Sequence, residues 1–342
     1  MALPASGNPI SFQQISDEFG DNDTSSLGGY RKRSGNVDFP QTFPGGLSFS
    51  GIDTDIPNSG EIKFSDFHGK KLNIVVDFYT GGTEYRQNAL TRYNGGSVTV
   101  IGGYAGKPNI PDGKKVYIYV NKLIGSDQNI NHRNVALTTG LFDFGSELFV
   151  QVGTSGAIVG AGGKGGLGKK DAKGDDGVDG SSALGLLHAA TIINNGRIQT
   201  GFGGGGGGSG AGQDVQTGKK SSEYRTASGG GGGGGAGLPK GSGGSSQGGA
   251  TSNGSAGDDA VDSIDGGDGG AGGTNAGAGG NGGGQNVSGQ ASAARAPSGA
   301  STKYDGGQGG RNGYAIISTG NASPTITGNA VFGRILLNST PT

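Results

Sequence analysis

Few residues of this chain stand where chemistry would need them. There are three histidines, His68, His132 and His188, and none sits at metal-ligand spacing from another. His188 lies in an apolar stretch and reads as a structural histidine. The absence of cysteine removes thiol nucleophiles, thiolate ligands and disulfides together. Gly160-x-Gly162-x-x-Gly165 has the spacing of a dinucleotide fingerprint. Glycine is so dense there that the match is uninformative, and the flanking βαβ pattern and acidic partner are missing. Gly218-Lys219 is followed by Lys220, where a phosphate-binding loop has Ser or Thr. Asp258, Asp259, Asp262, Asp265 and Asp268 crowd carboxylates as a hard cation would want, but without EF-hand or GGxGxD spacing. They read as a solvated acidic loop, as do Asp175, Asp176 and Asp179. No catalytic residue, metal site or cofactor is expected.

What remains is recognition. Tyr224 beside Arg225, and Tyr304 beside Lys303, pair a ring face with a charge, a combination suited to sugars or protein loops. Lys219 and Lys220 extend that set. The plainer reading is of tyrosines packing on whatever scaffold carries them. That scaffold announces itself as a glycine register of three. Residues 160–168, 266–273 and 306–311 repeat GGx, and Gly203–Gly208 and Gly229–Gly235 are unbroken runs. A flexible linker needs no phase. Three residues per turn belongs to the extended polyproline II-type helix, which has no internal hydrogen bonds. Ordering glycine costs more conformational entropy than ordering any other residue, and little apolar surface offsets it here. A folded solution must therefore satisfy nearly every N–H and C=O between neighbouring segments. We expect a polyglycine II helix sandwich. Collagen would need sustained G-X-Y phase and abundant proline, whereas only Pro239, Pro297, Pro324 and Pro341 follow residue 150.

Charge excludes other classes. With 26 basic and 27 acidic residues the chain has no global field for nucleic acid or anionic membrane. No apolar run approaches the roughly 20 residues of a spanning helix. Met1-Ala2-Leu3-Pro4 has no basic n-region, so no signal peptide is expected.

Residues 1–70 read as an attachment segment. Ser11 and Gln14 form a capping box, with Ile10 and Ile15 as its staple. Phe12, Ile15 and Phe19 then share a helical face, and a second apolar cluster carries Phe64 and Phe67. These five are the candidate docking residues; a lid on the next domain is the alternative. Residues 71–156 alternate apolar and polar positions at 72–78, 98–101, 116–120 and 147–152, which predicts a small antiparallel β-sandwich-like domain. Residues 157–342 form the glycine-rich domain with closing C-terminal strands. Within it, 169–182, 211–228, 238–265 and 285–305 differ in composition and read as long loops at the ends of rigid rods. The fold class is thus mainly β and irregular.

The stretch Ile10-Ser11-Phe12-Gln13-Gln14-Ile15 to Gly20, and Ile56-Pro57 to Gly69, resemble an N-terminal module of tailed-phage structural proteins. Thr191-Ile192-Ile193-Asn194-Asn195-Gly196-Arg197-Ile198 ahead of Gly203–Gly208 resembles an element of phage glycine-rich fibre proteins. The alternation of glycine motifs and variable segments is similar to the distal tail-fibre adhesins of T-even-like phages. The resemblance implies a virion tail adhesin made in the host cytoplasm, without enzymatic activity, that meets a bacterial glycan or outer-membrane protein through loops on a polyglycine II scaffold. It also implies partners among other tail or baseplate proteins. Tail fibres are often trimers, so a homotrimer joined through residues 1–70 is one expectation and a single-chain sandwich the other. A structural spacer of baseplate, neck or capsid is the first alternative. An ice-binding protein is the second, although such proteins present a flat regular face rather than four irregular inserts.

Overall fold

The computed structural model describes residues 3–19, 26–27, 42–43, 47–48, 60–70, 73–78, 81–95, 99–101, 115–127, 132–142, 147–218, 221–248, 250–285, 302–320 and 324–342.

The capping box sets helix α1 (Phe12–Phe19). The Gln14 N–H donates to Ser11 Oγ at 3.2 Å and the Ser11 N–H to Gln14 Oε1 at 2.8 Å. Ile15 is buried with Leu3 and Phe67, the latter from a short 3-10 turn, and Ile10, Leu27, Ile62 and Phe64 pack around them. The Leu3 N–H to Lys70 O and Gly69 N–H to Pro4 O bonds tie the two ends of this segment together. Strands β1 (Thr42–Phe43) and β2 (Leu47–Ser48) form a short antiparallel pair.

From residue 73 the chain winds as a parallel solenoid. Its first turn is β3 (Asn73–Phe78), β4 (Glu84–Tyr85) and β5 (Gln87–Asn88), followed by α2 (Ala89–Asn94) and β6 (Thr99–Ile101). The second is β7 (Lys115–Val120), β8 (Leu123–Gly125) and β9 (Val135–Thr138), and the third β10 (Glu147–Val152), β11 (Ala157–Val159) and β12 (Ser182–Leu186). The fourth opens with β13 (Ala190–Asn194) and β14 (Arg197–Gln199). The chain then leaves for a glycine block that carries β15 (Ala211–Gly218), β16 (Ser221–Ala227) and β17 (Thr302–Lys303), and returns as β18 (Ile316–Ser318). Strands β19 (Thr325–Gly328) and β20 (Ile335–Leu336) close the stack. The strands β3-β7-β10-β13-β19, β4-β8-β11-β14 and β5-β9-β12-β18-β20 run parallel within their sheets, with β6 added antiparallel to β3.

This corrects the antiparallel sandwich expected over 71–156. Alternation fixes which side chains face inward, but not strand direction. Here the partner of each parallel strand is one turn or more away, and the two shorter strands of each turn make the crossover that parallel pairing needs. The pairing also crosses the boundary expected at 156, since β13 and β14 stack on β10 and β11. The interior is held by in-register ladders, one on each side: Val76, Ile118, Val150, Ile192 and Ile326; Ile124, Ile158 and Ile198; and Leu137, Leu184, Ile316 and Ile335. Apart from Ile326 and Ile335 at the last turn, all of these are buried in one apolar cluster.

The glycine block is built the opposite way. Its segments are extended, and their hydrogen bonds run sideways at steps of three. The N–H groups of Gly229, Gly232 and Gly235 donate to Lys169, Gly166 and Gly163, those of Gly230 and Gly233 to Gly277 and Gly280, and those of Gly231 and Gly234 to Ser255 and Asp258. The carbonyls of the same run accept from Gly205 and Gly208, from Gly241 and Gly244, and from Gly267 and Gly270. Each phase of the run thus donates to one neighbour and accepts from another, and the run is enclosed on all sides. Gly203–Gly208 is similarly embedded, and every residue of both runs is buried.

At the periphery one phase in three faces water. Lys164, Asp268, Ala271, Gln308 and Arg311, the x residues of GGx, are exposed. The number of glycines in a triplet is therefore the number of its faces that are covered. Proximity is what demands glycine here, because among the described residues the positive-φ glycines (Gly7, Gly60, Gly69, Gly81, Gly140, Gly328 and Gly333) all lie outside 160–313. A Cβ on Gly232 would sit 2.0 Å from the Gly205 carbonyl oxygen, and one on Gly205 would sit 1.9 Å from that of Gly280.

Two of the expected loops prove to be scaffold. Residues 174–181 run beside 305–311, with Gly177 N–H donating to Gln308 O and Gly180 N–H to Arg311 O. Residues 241–246 and 252–260, read as one loop over 238–265, also bond at steps of three, through Gly241, Gly244, Gly257 and Ala260. Being peripheral, they need glycine only where they face inward, so their composition hides them. Side chains then supply the missing neighbour: Asp176 Oδ1 accepts from Gln308 N–H at 2.8 Å, Asp179 Oδ1 from Arg311 N–H at 2.6 Å and Ser182 Oγ from Tyr314 N–H at 2.8 Å. The acidic residues of 258–268 are tied in as well, with Asp259 accepting from Gly243 N–H at 2.8 Å and Asp268 from Asn281 Nδ2 at 3.1 Å.

Candidate recognition site

The block is rooted in the solenoid at Gly160, Ser181, Gly201 and Gly313, directly beside β11, β12, β14 and β18. Its opposite end is marked by Gly208, Gly229, Gly277 and Gly307, which bond to one another's segments. Beyond that end the two fully enclosed runs continue into one hairpin: 201–210 feeds β15, and β16 feeds 228–238. The β17 strand joins it, pairing Thr302 with Gly212 and Lys303 with Ala211, to give the three-stranded sheet β16-β15-β17. The neighbouring turn is bonded on, with Thr226 N–H donating to Thr251 Oγ1 at 3.3 Å and Ser252 N–H to Thr226 O at 3.1 Å.

The sequence candidates fall out as follows. Tyr224 stands on β16, 51% exposed. Arg225 follows it and, by strand alternation, belongs to the other face, where it pairs with Glu223 at 3.3 Å. A joint Tyr224–Arg225 site is therefore not formed. Tyr304 is half-buried just after β17, which brings it and Lys303 to the same end as the hairpin. Lys219 and Lys220 lie outside the described residues, between β15 and β16. Of the attachment candidates, Ile15 and Phe67 are core, and Phe12 and Phe64 meet edge to face at 4.7 Å. Phe19 ends α1, and its side chain lies outside what is described.

One neighbour of Tyr224 was not singled out in the sequence. A Cβ on Gly212 would lie 1.9 Å from the Tyr224 hydroxyl oxygen and 2.6 Å from Cζ, so the phenol rests across the β15 backbone. Glycine inside a strand pattern is the available signal of such an approach.

Two further ion pairs are found at this end among the described residues. Lys169 Nζ is 2.9 Å from Asp175, and Lys173 Nζ is 3.3 Å from Asp176. The Gln308 N–H, and secondarily Lys173, hold the Asp176 carboxyl below the usual aspartate range. Among the described residues no group of three His, Cys, Asp or Glu side chains gathers to hold a metal, and no helix is long and apolar enough to cross a membrane. On the solenoid, a concavity of about 430 Å³ is lined in part by Glu147, Phe149, Thr191 and Thr325. The Phe149 ring stacks on Tyr117 at 4.8 Å, and burial, then the Glu147 charge, raises the pKa of that tyrosine.

The family model described as "Phage tail fibre adhesin Gp38" matches residues 81–336. The chain belongs to that family. It is a virion tail protein, an adhesin for recognising the bacterial host. The matched stretch begins just after β3, in the first turn of the solenoid, and ends with β20, so it spans most of the solenoid and the whole glycine block, and residues 1–70 lie outside it. No curated protein sequence matches the chain. The crystal structure of the gp37-gp38 adhesin tip complex of the bacteriophage S16 long tail fiber is similar at a TM-score of 0.39 and 19% identity, over 80% of this chain and 86% of that one.

Proposed function

We propose that the adhesin touches the host surface with the sheet β16-β15-β17 and the turns beside it, carried on a polyglycine II lattice, and that it binds without catalysis. The observation behind this reading is the three-residue step of the lateral hydrogen bonds. That step makes the two enclosed runs stiff and directs both into one hairpin at the end remote from the solenoid. A rigid scaffold ending in chemically varied segments is the usual construction of a recognition surface. Residues 1–70, with their own small core outside the family match, serve in this reading as the mount on other tail proteins.

The test is an exchange of residues 211–227 and 246–252 with those of a relative infecting another strain, followed by adsorption assays. Host range should follow the exchanged segments. Unchanged host range in particles that still assemble would overturn the reading and favour a spacer.

A further inference from the structure

We propose that Tyr224, seated on Gly212, is a stacking platform for a pyranose ring of a host surface glycan. The proposal rests on the recognition reading above and names its ligand class. The Tyr224 phenol occupies the space a Cβ at 212 would take, so any side chain there would push the ring off its seat; Thr226 and Thr302 flank Gly212 in the sheet. The ring is thereby laid along the sheet rather than left to swing, with half its surface still open at 51% exposure. A preorganised aromatic loses little entropy when a ligand lands on it.

The surroundings choose between a sugar and a protein. A protein hot spot gathers several apolar anchors into a dry centre. Among the described residues Tyr224 is the only exposed large hydrophobic at this end; Tyr85, Leu123, Leu141, Phe332 and Ile335 belong to the solenoid, and Val261 to the turn at the block's rooted end. The adjoining turn is polar, with Thr251 and Ser252 bonded to Thr226. One aromatic face beside hydroxyl-bearing residues matches a pyranose, which has an apolar C–H face and a hydroxyl edge. It offers too little apolar area for a protein loop.

The probes are lipopolysaccharide-derived and capsule-derived oligosaccharides on an array, and detergent-solubilised outer-membrane protein from a strain the phage infects. Binding of the full chain should appear on at least one oligosaccharide, which also tells the two glycan sources apart. Tyr224→Ala and Gly212→Ala should each weaken it by about tenfold or more, the loss typical of a central aromatic, while Tyr224→Phe keeps most of it. Amide protection of β15 and β16 shows whether the sheet survives in each variant. Full binding by Tyr224→Ala overturns the platform, and full binding by Gly212→Ala overturns the seat. If Tyr224→Ala abolishes adsorption while only outer-membrane protein is bound, the ligand class is wrong and the tip reading stands. If that variant adsorbs normally, the platform fails, and the exchange of residues 211–227 and 246–252 then decides the tip reading on its own.

Discussion

The solenoid and the glycine block are both stacks of parallel or antiparallel extended chain, and they solve the same problem with opposite materials. In the solenoid, backbone bonds fill one direction and side chains must fill the interior, so Ile118 lies between Val76 and Val150 in a ladder of apolar neighbours. In the block, backbone bonds run in every lateral direction and no interior is left for side chains. The hydrophobic effect therefore accounts for much of the first stack and little of the second, where the gain is satisfaction of buried N–H and C=O groups. Tolerance to substitution should reverse between them: removing volume harms the solenoid, and adding volume harms the block.

The largest effect is expected from adding volume at the centre of the block. Gly232→Val would place a branched side chain on a Cβ already 2.0 Å from a carbonyl oxygen of a segment that cannot withdraw without breaking its own bonds. The cost should exceed about 3 kcal/mol, the upper end of ordinary overpacking. Gly82→Val, where nothing lies within 4 Å of a new Cβ, is the control. Chemical denaturation with amide exchange over 201–238 reads both, and equal stability of the two variants would break the comparison. The converse substitution, Ile118→Ala, removes a fully buried side chain and should cost about 2–5 kcal/mol, with the loss of protection centred on β3, β7 and β10.

A smaller effect tests the side chains that stand in for missing neighbours. The Asp176 carboxylate accepts from the Gln308 N–H, and its pKa is depressed in the folded protein. A depressed carboxyl contributes stability above its unfolded pKa and loses it as pH falls through the folded value. Protection of the Gln308 amide should hold at neutral pH and decline with acidification below the ordinary aspartate range. Asp176→Asn should remove that pH dependence. Because Asp176 is exposed, global stability should move little.

What could be read from the sequence follows the same division. Strands 73–78, 115–120 and 147–152 were visible because alternation survives wherever one face is buried. Their direction was not, because their partners stand a full solenoid turn away, and further still in the case of β12 and β18, with the glycine block between them. The two- and three-residue strands β4, β5 and β8 are too short to carry a period at all. In the block the GGx phase pointed to lateral packing, and the pure runs mark its most enclosed segments. Residues 241–246 and 252–260 escaped notice because a peripheral segment needs little glycine. In the hairpin, Tyr224 stands exposed, Gly212 beneath it was not singled out, and Tyr224 and Arg225 do not act together because adjacent strand residues face opposite ways.

The sharpest test of the comparison is confined to three consecutive residues, the middle one of which should show the smallest effect of all. A Cβ on Gly163 would lie 1.9 Å from the Val178 carbonyl oxygen, and one on Gly165 would lie 1.9 Å from that of Gly232. Between them Lys164 points outward and is exposed. Gly163→Ala and Gly165→Ala should each destabilise clearly, whereas Lys164→Ala, which deletes most of a side chain, should stay within about 0.5 kcal/mol of the parent. A disordered glycine tether would be indifferent at all three positions. A conventional core would resent truncation at Lys164 more than a single added methyl beside it. Only a lattice whose spacing is set by backbone against backbone penalises the two added methyls and ignores the lost lysine, and it must do so with a period of three along every peripheral segment.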